Sequence, residues 1–244
     1  PAAAADLADL APLHVVTKVW YTHLGYARTA LSIRESLANL RSASPRQIYV
    51  HMLLHWPRCS DEVEWMHCAE EEERLSQHVK DAGPPPHLDK EHAFKHSWRA
   101  MEEVYLEHQR AHVARKTQED RFPEHKKKMM GKEVTPIIAS IGVSNFELED
   151  LTELMNLRHP PQIYQGGSWS AFNDPYLMDY IREHGIFYQS YAVISGILQQ
   201  QDRAPNAYRA LSGVAEDLLA AEQVEAPDAV VAEATVILAY FLRK

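Results

Sequence analysis

One stretch constrains this chain more than any other: Ile138-Ala139-Ser140-Ile141-Gly142-Val143-Ser144-Asn145-Phe146, a short apolar run that ends in small polar residues. Bounded by Pro136 and by Glu147-Leu148-Glu149-Asp150, it predicts a buried parallel strand feeding directly into a helix. In an α/β architecture the C-terminal ends of the strands face the ligand. Ser144 and Asn145 are therefore expected to present a hydroxyl and a carboxamide there, which supplies donors and acceptors rather than a nucleophile.

The rest of the chain alternates strand and helix around that stretch. His14 to Trp20 is β-branched and suits a strand buried on both faces, with a turn over Thr22 to Tyr26. Ala30, Leu31, Ile33, Leu37 and Leu40 recur at helical spacing until Ser44-Pro45 breaks the pattern. Gln47 to His55 reads as the next strand, ended by Pro57. Cys59 to His96, with its acidic run Glu70 to Glu73 and its Gly-Pro-Pro-Pro break, reads as an insertion on a strand-to-helix loop. Ser97 to Arg110 follows as a helix capped by Ser97, with Trp98, Met101, Val104 and Tyr105 on one face. Arg115 to Glu133 reads as a solvated charged connector. After the central strand, Leu148, Leu151, Leu154 and Met155 mark a helix. Gln162 to Gly166 is a strand, Asp174 to Glu183 a helix and Ile186 to Ile194 a strand. Ala207 to Ala221 and Asp228 to Arg243 are helices, and Pro1 to Ala11 reads as a helix remnant or loose tail. Five strands alternating with helices imply a parallel sheet with helices outside, in one domain spanning 1–244 with insertions at about 59–96 and 115–134.

Composition narrows the function. A net charge of −9 argues against a nucleic-acid surface, and Lys126-Lys127-Lys128 is too short to reverse that. No apolar run approaches the ~18 residues of a membrane helix. Cys59 and Cys68 are too few for a disulfide framework and suit a reducing compartment, which points to the cytoplasm.

Gly142-Val143-Ser144-Asn145-Phe146 closely resembles the strand-end motif of the aldo-keto reductases. Thr17-Lys18-Val19-Trp20, Leu54-His55-Trp56-Pro57, Gln165 and Ser190-Tyr191 fall in that family's order, over about Val15 to Lys244. The resemblance implies a (β/α)8 TIM-barrel fold truncated to about five parallel strands, the third to the seventh of eight. Such an arc has two open edges, and these are candidate surfaces for self-association.

By the same resemblance the chemistry is NAD(P)H-dependent reduction of a small-molecule aldehyde or ketone. Hydride transfer builds negative charge on the carbonyl oxygen, so donors must aim at it. Lys18 and His55 match the family's catalytic Lys and His. Its Tyr and Asp would lie on a strand upstream of Pro1, so impaired turnover is expected. Ser144, Asn145 and Gln165 match groups that hold the nicotinamide carboxamide, and Tyr191 matches the aromatic stacked under the ring. Trp20 and Trp56 match substrate-pocket positions. After Tyr191 the chain has Ala192-Val193-Ile194-Ser195-Gly196 where the family usually has Ser-Pro-Leu-Gly. NADPH is favoured over NADH by the resemblance alone, since the adenosine-phosphate loop would lie beyond Lys244. The alternative is a catalytically inactive nucleotide-binding or regulatory relative, or a fragment of a longer enzyme.

Two histidine pairs, His92/His96 and His108/His112, are four apart and would share a helix face, as metal ligands do. No Cys pair or His-Glu-x-x-His signature accompanies them, so no metal is expected.

Overall fold

The computed structural model describes residues 11–41, 46–61, 63–121, 135–168, 173–198, 202, 205–222 and 233–238. The N-terminal tail to residue 10, the Ser44-Pro45 break and the lysine run at 126–128 lie outside these residues, as does most of the helix expected over 228–243. In chain order the elements are β1 (Leu13–Val19), α1 (Tyr26–Arg41), β2 (Ile48–Leu54), α2 (Cys68–Arg74), α3 (Gln77–Ala82) and α4 (Ala93–Arg121). Then come β3 (Ile137–Ser144), α5 (Leu148–Met155), β4 (Ile163–Gly167), α6 (Pro175–Glu183), β5 (Phe187–Tyr191), α7 (Ser195–Leu198) and α8 (Pro205–Glu222). The five strands are parallel and lie in one sheet in sequence order, with β1 and β5 at its ends.

β2 and β3 are buried almost throughout, as two-faced parallel strands are. β1 departs from the expectation of burial on both faces: His14 and Val16 point to solvent, Val16 being 37% exposed. Among the described residues β1 pairs only with β2, so its other edge is open. β3 and β4 approach closely because residue 142 has no side chain. A Cβ on Gly142 would stand 2.2 Å from the Ile163 carbonyl oxygen and 2.7 Å from Leu53 Cδ2.

Cα packing divides the chain into two compact units, Pro1–Tyr164 with Glu183–Phe187, and Gln165–Arg182 with Tyr188–Lys244. In the first, α1 buries Ala30, Ile33 and Leu37, while α4 buries Trp98, Met101 and Val104. The second keeps Leu177 and Ala215 inside and joins Tyr208 and Ser212 on α8 to the buried Glu233 carboxylate, at 2.9 and 2.5 Å.

Three expectations are corrected here. The helix expected from Ser97 begins at Ala93, so Ser97 is no cap. Its hydroxyl donates to the Ala93 carbonyl at 2.8 Å and accepts the Gly25 N–H at 2.8 Å, tying the entry of α1 to α4. The same helix runs on to Arg121, so residues 115–121 are ordered helix rather than connector. Finally, Cys59 and Cys68 form a disulfide across a 5.9 Å Cα separation. Local folding of the intervening residues, rather than a multi-cysteine framework, brings the two thiols together, so their count no longer argues for a reducing compartment. Among the described residues no helix is long and apolar enough to cross a membrane.

Candidate active site

Lys18, His55 and Asn145 sit at the C-terminal ends of three adjacent strands. Lys18 pairs in register with Leu53, and the His55 N–H continues the ladder by donating to the Val19 carbonyl at 3.0 Å. Asn145, just past β3, has φ 58°, in the left-handed region that Asn tolerates better than most residues. From there its carboxamide donates to the His55 carbonyl and to Ser144 Oγ, each at 3.1 Å. Ser144 is fully buried.

The electrostatics of this corner follow from partial burial. Desolvation lowers the Lys18 pKa below the ordinary amine range. His55 is pushed down to about 4, first by burial and then by the positive charge of Lys18, so it is neutral at pH 7. A neutral imidazole donates one N–H and keeps one acceptor nitrogen, which suits it to polarise a carbonyl oxygen without carrying charge.

Aromatic rings wall the corner. The Trp20 ring lies 4.8 Å from His55 and 4.6 Å from Tyr21, and Trp65 reaches across to Trp20, Tyr21 and Trp56 at 6.2, 6.2 and 5.6 Å. Both expected pocket tryptophans, Trp20 and Trp56, are thus beside His55. Trp65 belongs to the segment expected to be a variable loop, and sequence reasoning missed it.

The acidic run was missed as well. Glu71 accepts the Trp20 indole N–H at 2.9 Å and the Tyr21 hydroxyl. Burial, followed by the Glu71 bond and charge, drives the Tyr21 phenol strongly upward, so it keeps its proton. Glu72 makes a two-pronged ion pair with the buried Arg28, both contacts at 2.8 Å. Arg28 is further held by the Gly83 and Thr22 carbonyls at 2.8 and 3.0 Å. An acidic run is usually a solvated face. The signal that could have revealed these roles is Arg28, a cation on the same helix face as no other basic residue and close to apolar Leu24 and Leu31 in sequence.

In the second unit, Gln165 on β4 is buried and donates to the Gln189 carboxamide oxygen at 2.8 Å. Tyr191 ends β5, 39% exposed, with its ring against Gly167, and burial raises its phenol pKa. Of the histidine pairs, His92 is engaged with Asp89 at 3.0 Å, and burial lowers the His108 pKa. No group of three or more His, Cys, Asp or Glu among the described residues is placed to hold a metal ion.

No protein-family model matches the chain, and no curated protein does. Solved structures do. An aldo-keto reductase from a Medee basin deep-sea metagenome library aligns at 21% identity and TM-score 0.44, over 84% of this chain and 51% of its own. An aldo/keto reductase from Brucella melitensis aligns at 20% identity and TM-score 0.44, over 84% and 56%. The aldose reductase of Schistosoma japonicum aligns at 19% and 0.43, over 79% and 52%. The chain therefore spans about half the length of each of these proteins.

Proposed function

We propose that this chain is a partial aldo-keto reductase barrel whose chemistry is NAD(P)H-dependent reduction of an aldehyde or ketone to an alcohol. One observation carries the reading: the charge of Lys18 acts on a neutral His55, and Asn145 ties that histidine's backbone to the next strand. In this reading His55 donates to the substrate carbonyl oxygen while Lys18 stabilises the negative charge that develops there. Ser144 and Asn145 are assigned to the carboxamide of a nicotinamide on their position at the end of β3. Gln165 and Tyr191 are assigned to the cofactor on sequence pattern alone. Trp20 and Trp56 supply apolar walls to a small carbonyl compound. The nicotinamide cofactor, NADPH in preference to NADH, would supply the hydride.

Within these residues the proton donor is the weak point. No residue of the chain matches the family's Tyr and Asp, and the Tyr21 hydroxyl is engaged with Glu71. General acid catalysis contributes about 10²–10⁴-fold, so this stretch alone should bind cofactor but turn over slowly. Titrating NADPH against tryptophan fluorescence, alongside carbonyl-dependent NADPH oxidation, tests both halves. Binding that is lost in Asn145→Ala, with little oxidation, supports the reading. Robust oxidation by the 244-residue protein refutes the impairment, and no binding refutes the cofactor assignment. Binding without any turnover, even in a chain extended with a Tyr- and Asp-bearing strand, would favour a regulatory nucleotide-binding role.

A further inference from the structure

Four residues before Lys18 on β1, three side chains from adjacent strands form one hydrogen-bonded row. His14 Nδ1 and His51 Nε2 lie 3.0 Å apart, and His51 Nδ1 lies 2.7 Å from Ser140 Oγ. The two ring centroids are 5.3 Å apart with planes inclined by only 16°. For nitrogens 3.0 Å apart that is the largest centroid separation the ring size permits, so the imidazoles meet head-on and nearly coplanar rather than face to face. The contact is therefore an N–H···N bond carrying a single proton. Lone pairs aimed straight at each other across this gap leave no place for a shared metal ion.

A break in strand register puts the serine in this row. Val50 pairs with Ile138 but His51 pairs with Ser140, so Ala139 is an extra residue on β3. Such a bulge re-aims the side chains beside it, and bulges are common next to active sites. The row opens to solvent at its His14 end, where His14 is exposed and Val16 beside it is 37% exposed, while Ser140 itself is buried at 9%.

We infer that Ser140, His51 and His14 form a nucleophile, base and orienting acceptor, a second reactive centre that takes activated acyl or phosphonyl compounds at Ser140 Oγ. The arrangement follows the general logic of an activated serine: a hydroxyl within hydrogen-bond reach of a base, and that base oriented by a third group. When His51 Nε2–H donates to His14 Nδ1, His51 Nδ1 is left as the acceptor for the Ser140 hydroxyl. With an activated phenyl ester, Oγ bonds to the carbonyl carbon and its proton passes to His51 Nδ1. The bond from that carbon to the phenolate oxygen breaks, and His51 returns the proton to the leaving phenolate. Acyl-Ser140 remains, and water attacking by the same route releases the acid and restores the serine. Burial and the neighbouring His14 hold His51 below the usual imidazole range, which keeps it unprotonated at neutral pH. The groups facing it are His14 on β1, with Tyr49 of β2 set 5.3 Å from the His14 ring, and the neutral Ser140 on β3. His14 acts as a positioning residue.

The test treats the folded 244-residue protein with a phosphonyl fluoride probe, which loses fluoride to the nucleophile, and with p-nitrophenyl acetate, and locates adducts by peptide mass. The expected result is an adduct on Ser140 that disappears in Ser140→Ala. His51→Gln should slow its formation about 100-fold or more. His14→Ala should slow it less, because His51 loses the acceptor that orients it, and His14→Gln, which keeps an acceptor, should restore part of the rate. No adduct on Ser140, or an undiminished rate in His51→Gln, overturns the inference. Should His51→Gln fail to fold by circular dichroism, His14→Ala at its exposed position decides, and an unchanged rate there overturns it. These readouts need no nicotinamide, so they stand apart from the carbonyl-reduction reading.

Discussion

Asn145 donates its carboxamide N–H to the His55 carbonyl at 3.1 Å, joining the ends of β3 and β2 from a left-handed backbone position with φ 58°. Asn145→Ala loses that bond and places a Cβ-bearing residue with no compensating side-chain contact in a region costing about 1–2 kcal/mol. Asn145→Gly relieves the backbone but not the bond. Urea denaturation should show the Ala variant destabilised by about 2 kcal/mol and the Gly variant by less.

Arg28 and Glu72 anchor the acidic helix α2 to α1. Arg28→Met leaves the mostly buried Glu72 carboxylate without its guanidinium, at a cost of about 3 kcal/mol by thermal denaturation. The Arg28 hydrogen bonds and charge hold the Glu72 pKa below its usual value. A carboxyl with a lowered folded pKa contributes stability that is fully present above the unfolded pKa and disappears as pH falls through the folded one. Acid should therefore destabilise the wild type more than Arg28→Met.

His55 should stay neutral in the folded protein until the pH approaches about 4. Between the ordinary imidazole value and about 4 the unfolded chain binds the extra proton, so folded stability declines across that window as pH falls. Removing the Lys18 charge in Lys18→Met should raise the His55 pKa. It should not restore the ordinary value, because burial is the larger cause. NMR titration of the His55 ring in both proteins measures this.

The Cys59–Cys68 bond closes a short loop that carries Trp65 to the aromatic wall. Its sequence separation of 9 corresponds to about 2–3 kcal/mol of loop-closure stabilisation. Cys59→Ser should lower the thermal midpoint accordingly and shift the emission of Trp65.

Gly142 is placed where β3 and β4 approach through their backbones. Gly142→Ala would drive a methyl into the Ile163 carbonyl, which cannot move without breaking the ladder. The expected outcome is loss of cooperative unfolding, seen by circular dichroism.

The amino-acid sequence by itself determined the strand-helix alternation, because the period of apolar residues reports which faces each segment must bury. It also placed Lys18, His55 and Asn145 at successive strand ends, and these three are neighbours in the fold. Only tertiary structure decided the partners that come from far along the chain. Glu71 and Glu72 read locally as a solvated charge run, yet Trp20, Tyr21 and Arg28, more than forty residues earlier, satisfy them. Ser140 read as one small residue within an apolar strand, and a single-residue bulge set its hydroxyl against His51. Local pattern encodes burial, which is a property of one segment. A hydrogen bond or ion pair needs two segments in register, and packing alone sets that register.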